Sequence, residues 1–324
     1  MLNRLIKSAF ICALAGLSLS AHAQQDKYPD RTVSVISPFG PGGPNDTSLR
    51  FITQALTTRF GGDYVVENRA GAATQIANQY VARAKPDGYT LLYAAAPIAN
   101  LTAAHVKTSY NLKTDFEFIG PTVVTPLFLV VNADSPVKTV KDFVQYAKSK
   151  ADGVVFANSG LGASPHLTAE LFASTAGFKL LPIPVKGDAA SYMELVAGRV
   201  DATLTSLTAA LPFIKENRLR VIAVSSAERS RLYPDAPTFK ESGYPDVVGF
   251  GWFGLMAPRG TPEHLVNLTN SRINEIAKDQ GFQEKLINSG VEILPQTPEE
   301  FKTFVDEEVG KWEKVMTENN IKLD

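Results

Sequence analysis

Cysteine, histidine and net charge are all scarce in this sequence. It has one cysteine, Cys12, and four histidines in 324 residues, and its formal net charge is −1. One cysteine excludes an intramolecular disulfide and a cysteine-clustered zinc site, and four histidines leave little material for a multi-histidine metal site. A nucleic-acid-binding protein would show an excess of basic residues, which is missing here. We therefore expect no metal, no cofactor and no nucleic-acid partner.

Motifs of several common enzymes are also missing. The chain contains neither a G-x-S-x-G nucleophile elbow nor an H-E-x-x-H zinc motif. Its first glycine-rich loop lacks the G-K-[ST] ending of a nucleotide-binding P-loop. A scattered Ser–His–Asp triad stays open on these grounds alone, although no residue pattern supports one.

The N-terminus has the features of an exported protein. Arg4 and Lys7 form a short basic region at the start of a largely apolar stretch over residues 5–19, which Ala21-His22-Ala23 follows. This order is typical of a secretory signal peptide, which we assign to residues 1–23. The apolar core of roughly 14 residues is shorter than the about 20 of a transmembrane helix. An N-terminal anchor is the alternative. Cleavage after Ala23 would leave no cysteine, which suits an oxidising exported compartment.

Strand and helix signals alternate along the rest of the chain. The β-branched run at 32–36 predicts a strand, and Asn45 or Asp46 is expected to cap a helix that ends near Phe60. A β-α-β-α-β order implies an α/β fold with a parallel sheet wrapped by helices. Further predicted strands are 64–66, 89–93, 127–131, 154–157, 180–184, 202–205 and 219–225. Further predicted helices are 72–84, 140–149, 166–176, 189–197, 263–277, 280–289 and 298–320.

Two glycine-rich loops each join a predicted strand to a helix start. The first covers residues 39–46 and the second residues 158–165. Glycine lets the backbone approach a ligand, and a helix N-terminus offers free N–H groups and the positive end of a dipole. Both loops thus suit a carboxylate or phosphate, while tight turns without a ligand remain the alternative. The second resembles a dinucleotide fingerprint, but Pro165 replaces the third glycine and no acidic residue stands about 20 positions on.

Three other candidates have a simpler structural interpretation. His166 and Glu170 are four residues apart, which could hold a metal, but no third ligand is near and a hydrogen bond on the helix explains the spacing. Trp252 could line a pocket or lie in a core strand. Lys186 could neutralise an anion or be solvated.

Ten motifs together resemble one known family. They are Y-P-D at 28–30, F-G-P-G-G-P-N-D at 39–46, V-E-N-R-A-G-A at 66–72, A-K-P-D-G-Y-T-L-L at 84–92, N-S-G-L-G-A-S-P-H-L at 158–167, P-V-K-G at 184–187, G-R-V-D at 198–201, L-R-V-I-A-V at 219–224, P-D-A-P-T at 234–238 and W-F-G-L-M-A-P at 252–258. In this order they resemble the Bug/TctC-type receptors, the periplasmic solute-binding proteins of tripartite tricarboxylate transporters. The resemblance covers nearly the whole chain after the signal peptide.

The resemblance implies a two-lobed type II periplasmic-binding-protein fold with a ligand cleft between the lobes. One lobe would comprise residues 24–123 and 250–324, and the other residues 124–249. It also implies a monomer in the periplasm that delivers a small carboxylate to integral-membrane permease subunits. A sensory subunit that signals to a membrane kinase is the alternative, and an exported carboxyl-ester hydrolase is a more remote one.

The family's ligand loops give a candidate site when they are placed on this sequence. The implied ligand-binding residues are Phe39, Gly40, Gly42, Gly43, Asn45, Asp46, Thr47, Asn158, Ser159, Gly160, Gly162, Ser164, His166, Val185 and Thr205. Val185 stands where the family often has tyrosine, Thr205 where aspartate is common, and Leu161 where asparagine is frequent. An unpaired buried ammonium is costly. We therefore expect a less polar pocket and a ligand without an amine, namely an aliphatic or aromatic mono- or dicarboxylate.

Overall fold

The strands of this protein form two sheets. The computed structural model describes residues 28–158, 160, 162–185 and 187–323, so the predicted signal peptide lies outside it. The strands are β1 (Val33–Ser37), β2 (Tyr64–Asn68), β3 (Thr90–Ala95), β4 (Phe116–Pro126), β5 (Phe128–Asn132), β6 (Val154–Asn158), β7 (Leu180–Pro184), β8 (Ala202–Thr205), β9 (Leu219–Val224), β10 (Phe250–Pro258) and β11 (Glu292–Ile293).

Helices lie between most of these strands. They are α1 (Pro44–Phe60), α2 (Gln75–Ala82), α3 (Pro97–Ala103), α4 (Val140–Ser149), α5 (Ser164–Ala176), α6 (Asp188–Val196), α7 (Leu211–Lys215), α8 (Glu263–Ile276), α9 (Gln280–Asn288) and α10 (Pro298–Glu318). Within the described ranges, no helix combines the length and apolar character needed to cross a membrane.

The two sheets have the same strand arrangement. The first sheet runs β2-β1-β3-β10-β4, with the short β11 added beyond β4, and the second runs β7-β6-β8-β5-β9. In each sheet the first three strands are parallel, and the fourth is antiparallel to both neighbours. The glycine-rich loops therefore leave equivalent strands, β1 and β6, at the carboxyl ends where α/β sheets bind ligands.

Alternating side chains bury both faces of each sheet. Val35 and Ile36 are neighbours on β1 but belong to apolar clusters on opposite faces. Phe128 and Leu129 on β5 divide in the same way between the two clusters of the second sheet. This period of two follows from strand geometry. Each fully buried side chain of this kind stabilises the fold by about 1.5–3 kcal/mol.

Helix α4 shows how the local sequence places a helix on its sheet. Thr139 and Asp142 form a capping box at its start, and its buried residues are Val140, Phe143, Val144 and Ala147. Spacings of three and four place these four on one face. The predicted bounds 140–149 are confirmed.

Residues 72–84 depart from the predicted helix. Ala72, Ala73 and Thr74 have φ angles of 46°, 48° and 78°, and α2 begins only at Gln75. Left-handed backbone is costly for residues with a side chain, so composition alone pointed to a right-handed helix here. Strand β4 and helix α3 were not predicted. Residues 250–254 do lie in a strand, β10, with Trp252 fully buried.

Candidate functional site

A cavity of about 340 Å³ lies where the carboxyl-end loops of both sheets meet. The first sheet and its helices contribute Phe39, Gly43, Pro44, Asn45, Ala96, Pro97, Thr125, Gly251, Trp252 and Phe253. The second sheet, its helices and the preceding link contribute Leu127, Ala163, Ser164, Pro165, Asp188, Thr205 and Ser206. We call this space the interlobe cavity.

A larger depression is not built from both sheets. It measures about 740 Å³ and follows α2, where Arg31, Arg69, Tyr80 and Arg83 are part of its wall. Its described lining belongs to the first sheet and its helices alone. We place the candidate site in the interlobe cavity because ligands favour clefts between lobes at strand carboxyl ends.

Three helices begin at the interlobe cavity. Helices α1, α5 and α6 start after Gly43, Ala163 and Gly187, and none of these N-cap residues caps its helix with a side chain. First-turn N–H groups have no intrahelical partner, and the dipole places positive partial charge there. The cavity thus offers favourable positions for a carboxylate without a cationic side chain.

Four polar side chains of the lining have an atom without a hydrogen-bond partner among the described residues. They are Asn45 Nδ2, Thr125 Oγ1, Thr205 Oγ1 and Trp252 Nε1. Each of these residues is less than one-tenth exposed. Buried polar groups are normally hydrogen-bonded, and leaving one unpaired costs about 1–3 kcal/mol. Since all four can donate, they match a ligand that presents acceptor oxygens.

Asn45 is oriented by the strand in front of it. Ser37 Oγ, at the end of β1, donates to Asn45 Oδ1 across 2.7 Å. This bond assigns the oxygen of the amide to the protein and leaves Nδ2 as the free donor. Sequence reasoning missed Ser37 because its role depends on a contact eight residues away across a loop.

Five of the predicted site residues line the interlobe cavity: Phe39, Gly43, Asn45, Ser164 and Thr205. The lining does not include the other described candidates, which are Gly40, Gly42, Asp46, Thr47, Asn158, Gly160, Gly162, His166 and Val185. Ser159, Leu161 and Lys186 lie outside the described residues.

Asp46 holds the first glycine-rich loop in place through hydrogen bonds to its carboxylate. Its two oxygens accept hydrogen bonds from Arg50 Nε and Nη2, Asn68 Nδ2 and the Gly42 amide, at 2.9–3.0 Å. The Arg50 guanidinium is the main cause that lowers the pKa of Asp46 to about 2. A carboxylate so fully occupied has little capacity left for a ligand, so its role is to fix the loop.

His166 and Asn158 support the second loop. Gly162 N donates to His166 Nδ1 across 3.1 Å, and His166 Nε2 lies 3.4 Å from Glu170 Oε1. His166 is buried, so the side chain four residues before Glu170 supports the second loop and does not lie on an exposed face of α5. Asn158 Oδ1 accepts from Gly160 N at 3.0 Å. Asn100 Nδ2 of α3 reaches across and donates to Gly162 O at 2.8 Å.

Asp188 contributes a carboxylate to the lining, although it was not among the predicted site residues. It is the first residue of α6, and one of its oxygens accepts a hydrogen bond from Ser206 Oγ. Thr205 does lie on the lining, at the position where the family often has aspartate. A carboxylate reaches the same cavity from α6, at Asp188. Sequence reasoning also missed Ala96, Pro97, Thr125, Leu127, Ser206 and Gly251, and no local pattern marked any of them.

The interlobe cavity has no described basic side chain in its lining. Within the described part of the chain, no group of three or more His, Cys, Asp or Glu side chains could hold a metal ion. Attraction for an anion therefore has to come from helix starts and neutral donors.

Comparisons with known proteins show the family to which similar chains belong. Residues 49–321 match the family model described as "Tripartite tricarboxylate transporter family receptor". Protein BugT of Bordetella pertussis is 32% identical over 312 residues, which is 96% of each chain.

Two similar solved structures contain a bound carboxylate. Rpa4515 of R. palustris with adipate has a TM-score of 0.79 and 31% identity, and covers 91% of this chain and 99% of its own. MatC of Rhodopseudomonas palustris with bound malate has a TM-score of 0.74 and 29% identity, and covers 89% and 99%.

Proposed function

This chain belongs to the tripartite tricarboxylate transporter receptor family, the Bug/TctC-type solute-binding receptors, and from that premise we propose that it captures a small carboxylate in the interlobe cavity. Its fold is the two-lobed α/β fold of periplasmic binding proteins. The proposed ligand is an aliphatic or aromatic mono- or dicarboxylate, which the protein delivers to integral-membrane permease subunits. It does so as a monomer in the periplasm after loss of a signal peptide, and without catalysing a reaction.

The observation that carries this proposal is the set of unpaired donors at Asn45, Thr125, Thr205 and Trp252. They lie beside three helix starts on a lining with no described cation. A carboxylate accepts several hydrogen bonds at once, and bonds to a charged group contribute about 1.5–3 kcal/mol each. The carboxylates bound in the two similar structures support the same ligand class.

The division of the donors suggests how binding closes the lobes. We place the lobes at residues 24–123 with 250–324, and at residues 124–249. Asn45 and Trp252 then belong to one lobe and Thr205 to the other. A ligand held by both lobes is bound more tightly when they are closed, and only this differential affinity shifts the balance. The closed form is the one that the permease recognises.

A variant that introduces a negative charge tests the site. Asn45→Asp keeps the size of the side chain but puts a carboxylate where Nδ2 would donate. Two like charges 4 Å apart repel by about 4 kcal/mol at an effective dielectric constant of 20. We therefore expect at least a 100-fold loss of affinity for small carboxylates by calorimetry. Asn267→Asp, at an exposed position of α8, is the matched control and should bind as the wild type does.

Two outcomes would contradict the proposal. One is the absence of any thermal stabilisation by a panel of mono-, di- and tricarboxylates, because a ligand specific for the folded state raises the midpoint. The other is equal affinity in Asn45→Asp and the wild type. Small-angle scattering tests closure separately, since ligand should reduce the radius of gyration of the wild type more than that of Thr205→Val. Ligand-dependent co-purification with the permease subunits tests delivery.

A further inference from the structure

The described charge on the lining of the interlobe cavity comes from the second sheet and its helices. Asp188 is its one described charged residue, on the wall formed by the second sheet. The donors Asn45 and Trp252, which have no partner among the described residues, come from the wall formed by the first sheet and its helices. We propose that Asp188 determines specificity by pairing with a cationic ammonium group, so that the ligand is an amino carboxylate with its two charges at opposite ends. This inference rests on the proposed function, because it places the ligand in the same cavity.

Asp188 is held in position by the residues behind it. Ser206 Oγ donates to Asp188 Oδ2, and Tyr192 OH donates to the Ser206 backbone oxygen. Tyr192 is fully buried, and this burial raises the pKa of its hydroxyl well above the usual range. The hydroxyl therefore remains a hydrogen-bond donor, and its bond to the backbone oxygen holds Ser206 in place. Among the described residues, Asp188 Oδ1 accepts no side-chain hydrogen bond, so it is the oxygen available to a ligand.

The position of Asp188 is set by the start of its helix. Its carboxylate stands in the first turn of α6, where the backbone dipole has its positive end. The turn is formed through Gly187, which has a φ of 84° and thus a conformation that favours glycine. The aspartate is therefore fixed by the fold at this place, close to Thr205 and Ser206.

Electrostatics then decides which end of a ligand can face Asp188. A ligand carboxylate at this wall would meet a like charge with no described cation nearby to compensate. An ammonium would form an ion pair there, and its N–H groups would satisfy the free oxygen. The ligand's own carboxylate is directed to the other wall, where Asn45 Nδ2 and Trp252 Nε1 are the donors. A hydroxyl would make one hydrogen bond but would leave the aspartate charge unbalanced.

This inference replaces the expectation of an amine-free ligand. That expectation rested on Thr205, which stands where aspartate is common in the family. In the structure, Asp188 of α6 contributes a carboxylate to the same cavity that Thr205 lines. The cost of burying an ammonium without a partner no longer counts against a zwitterionic ligand.

A matched ligand series tests the assignment. Unbranched acids with two to five methylene groups can carry one carboxylate and, at the far end, an ammonium, a second carboxylate or a methyl group. We expect the ammonium member of the best-fitting length to bind the wild type at least 10-fold more tightly than the other two. Calorimetry gives the dissociation constants.

Asp188→Asn separates charge from shape. It should weaken binding of the ammonium member at least 10-fold and strengthen that of the dicarboxylate, which reverses the preference. Glu194→Gln is the matched control, because Glu194 lies on the same helix and pairs with Arg199 outside the cavity. It should leave the whole series unchanged. Asp188→Ser serves as a second variant if the asparagine variant does not fold.

The outcomes distinguish this inference from the proposed function. Equal or tighter binding of the dicarboxylate or methyl member by the wild type would overturn the role of Asp188 and leave carboxylate capture intact. So would an ammonium preference that survives in Asp188→Asn. If no member of the series and no other carboxylate binds, the proposed function fails and this inference fails with it.

Discussion

Ser37 Oγ donates a hydrogen bond of 2.7 Å to Asn45 Oδ1, and both side chains are buried. The bond links the end of β1 to the first turn of α1 across the glycine-rich loop. It occupies Oδ1 of Asn45, a residue of the interlobe cavity lining, and leaves Nδ2 as the donor without a partner among the described residues. Ser37 is not itself part of the cavity lining, but it thus orients Asn45, which is.

Removal of the Ser37 hydroxyl should therefore weaken ligand binding indirectly. In Ser37→Ala the amide of Asn45 loses its orientation, and we expect a 3- to 10-fold loss of affinity, or about 1 kcal/mol. Calorimetry with the best-binding carboxylate measures it. Ser34→Ala on the same strand is the control, because the Ser34 side chain makes no hydrogen bond to any described residue. Equal affinity of Ser37→Ala and wild type would show that Asn45 does not depend on this bond.

The two buried tryptophans should respond differently to replacement by phenylalanine. Trp252 lines the cavity and its Nε1 has no partner in the described part of the chain, whereas Trp312 Nε1 donates to Glu308 at 2.9 Å. Trp252→Phe removes a donor to the ligand and should reduce affinity about 5- to 10-fold.

Trp312→Phe is the control for lost ring volume. It should lower the unfolding temperature, because it also leaves the buried Glu308 oxygen without this donor, but it should keep the wild-type affinity. Thermal unfolding measures the loss of stability in both variants, and calorimetry measures the loss of ligand affinity. An affinity loss in Trp312→Phe as large as that in Trp252→Phe would contradict a specific role for Trp252.

Acid stability should depend on Asp46. Its folded-state pKa is lowered from an ordinary value of 3.8 to about 2, first of all by Arg50. A lowered pKa stabilises the fold fully above the ordinary value, and this contribution is lost as the pH falls from about 4 to about 2. Because the Arg50 side chain is half exposed, we expect about 1–2 kcal/mol.

Asp46→Asn should remove this pH-dependent contribution. The variant is expected to be less stable than wild type at neutral pH, and the difference should shrink between pH 4 and pH 2. Denaturant unfolding at several pH values measures it. Asp306→Asn, on an exposed part of α10, provides the control. A difference that is constant over this range would contradict the assignment.

The left-handed turn before α2 predicts a stabilising mutation. Ala73 is exposed and has a φ of 48° between two other residues with positive φ. Left-handed backbone costs an alanine about 1–2 kcal/mol, part of which glycine recovers at the expense of unfolded-state entropy. Ala73→Gly should raise the free energy of unfolding by up to about 1 kcal/mol.

Ala55→Gly provides the opposite case, because Ala55 lies within the right-handed helix α1. It should lower the free energy of unfolding by about 0.5–1 kcal/mol. Denaturant unfolding compares both variants with wild type. If Ala73→Gly also destabilises the protein, this turn is not strained.

Local patterns determined much of the fold. The bounds of α4, β7 and β8 were predicted as observed, and the helices from 263 onward were placed within two residues at each end. Periodicity, caps and turn residues carry this information because they act within a few residues. The same patterns identified both loops that leave β1 and β6, and with them Asn45 and Ser164, whereas Thr205 was expected only from the family resemblance.

Tertiary structure decided the remaining features. Strands β4 and β10 pair over more than 120 residues of sequence, and no local signal reports such a partner. For the same reason, Asp46 could not be distinguished from Asn45. Both residues stand in the first turn of α1. Arg50 and Asn68 donate hydrogen bonds to the Asp46 carboxylate, whereas Ser37 orients the Asn45 amide. Asp188, Thr125 and Trp252 come together only because the two sheets present their loops to one cavity. The sequence by itself thus determined most of the elements and the positions of the two glycine-rich loops, whereas the charge and donors of the candidate site depend on contacts between distant segments.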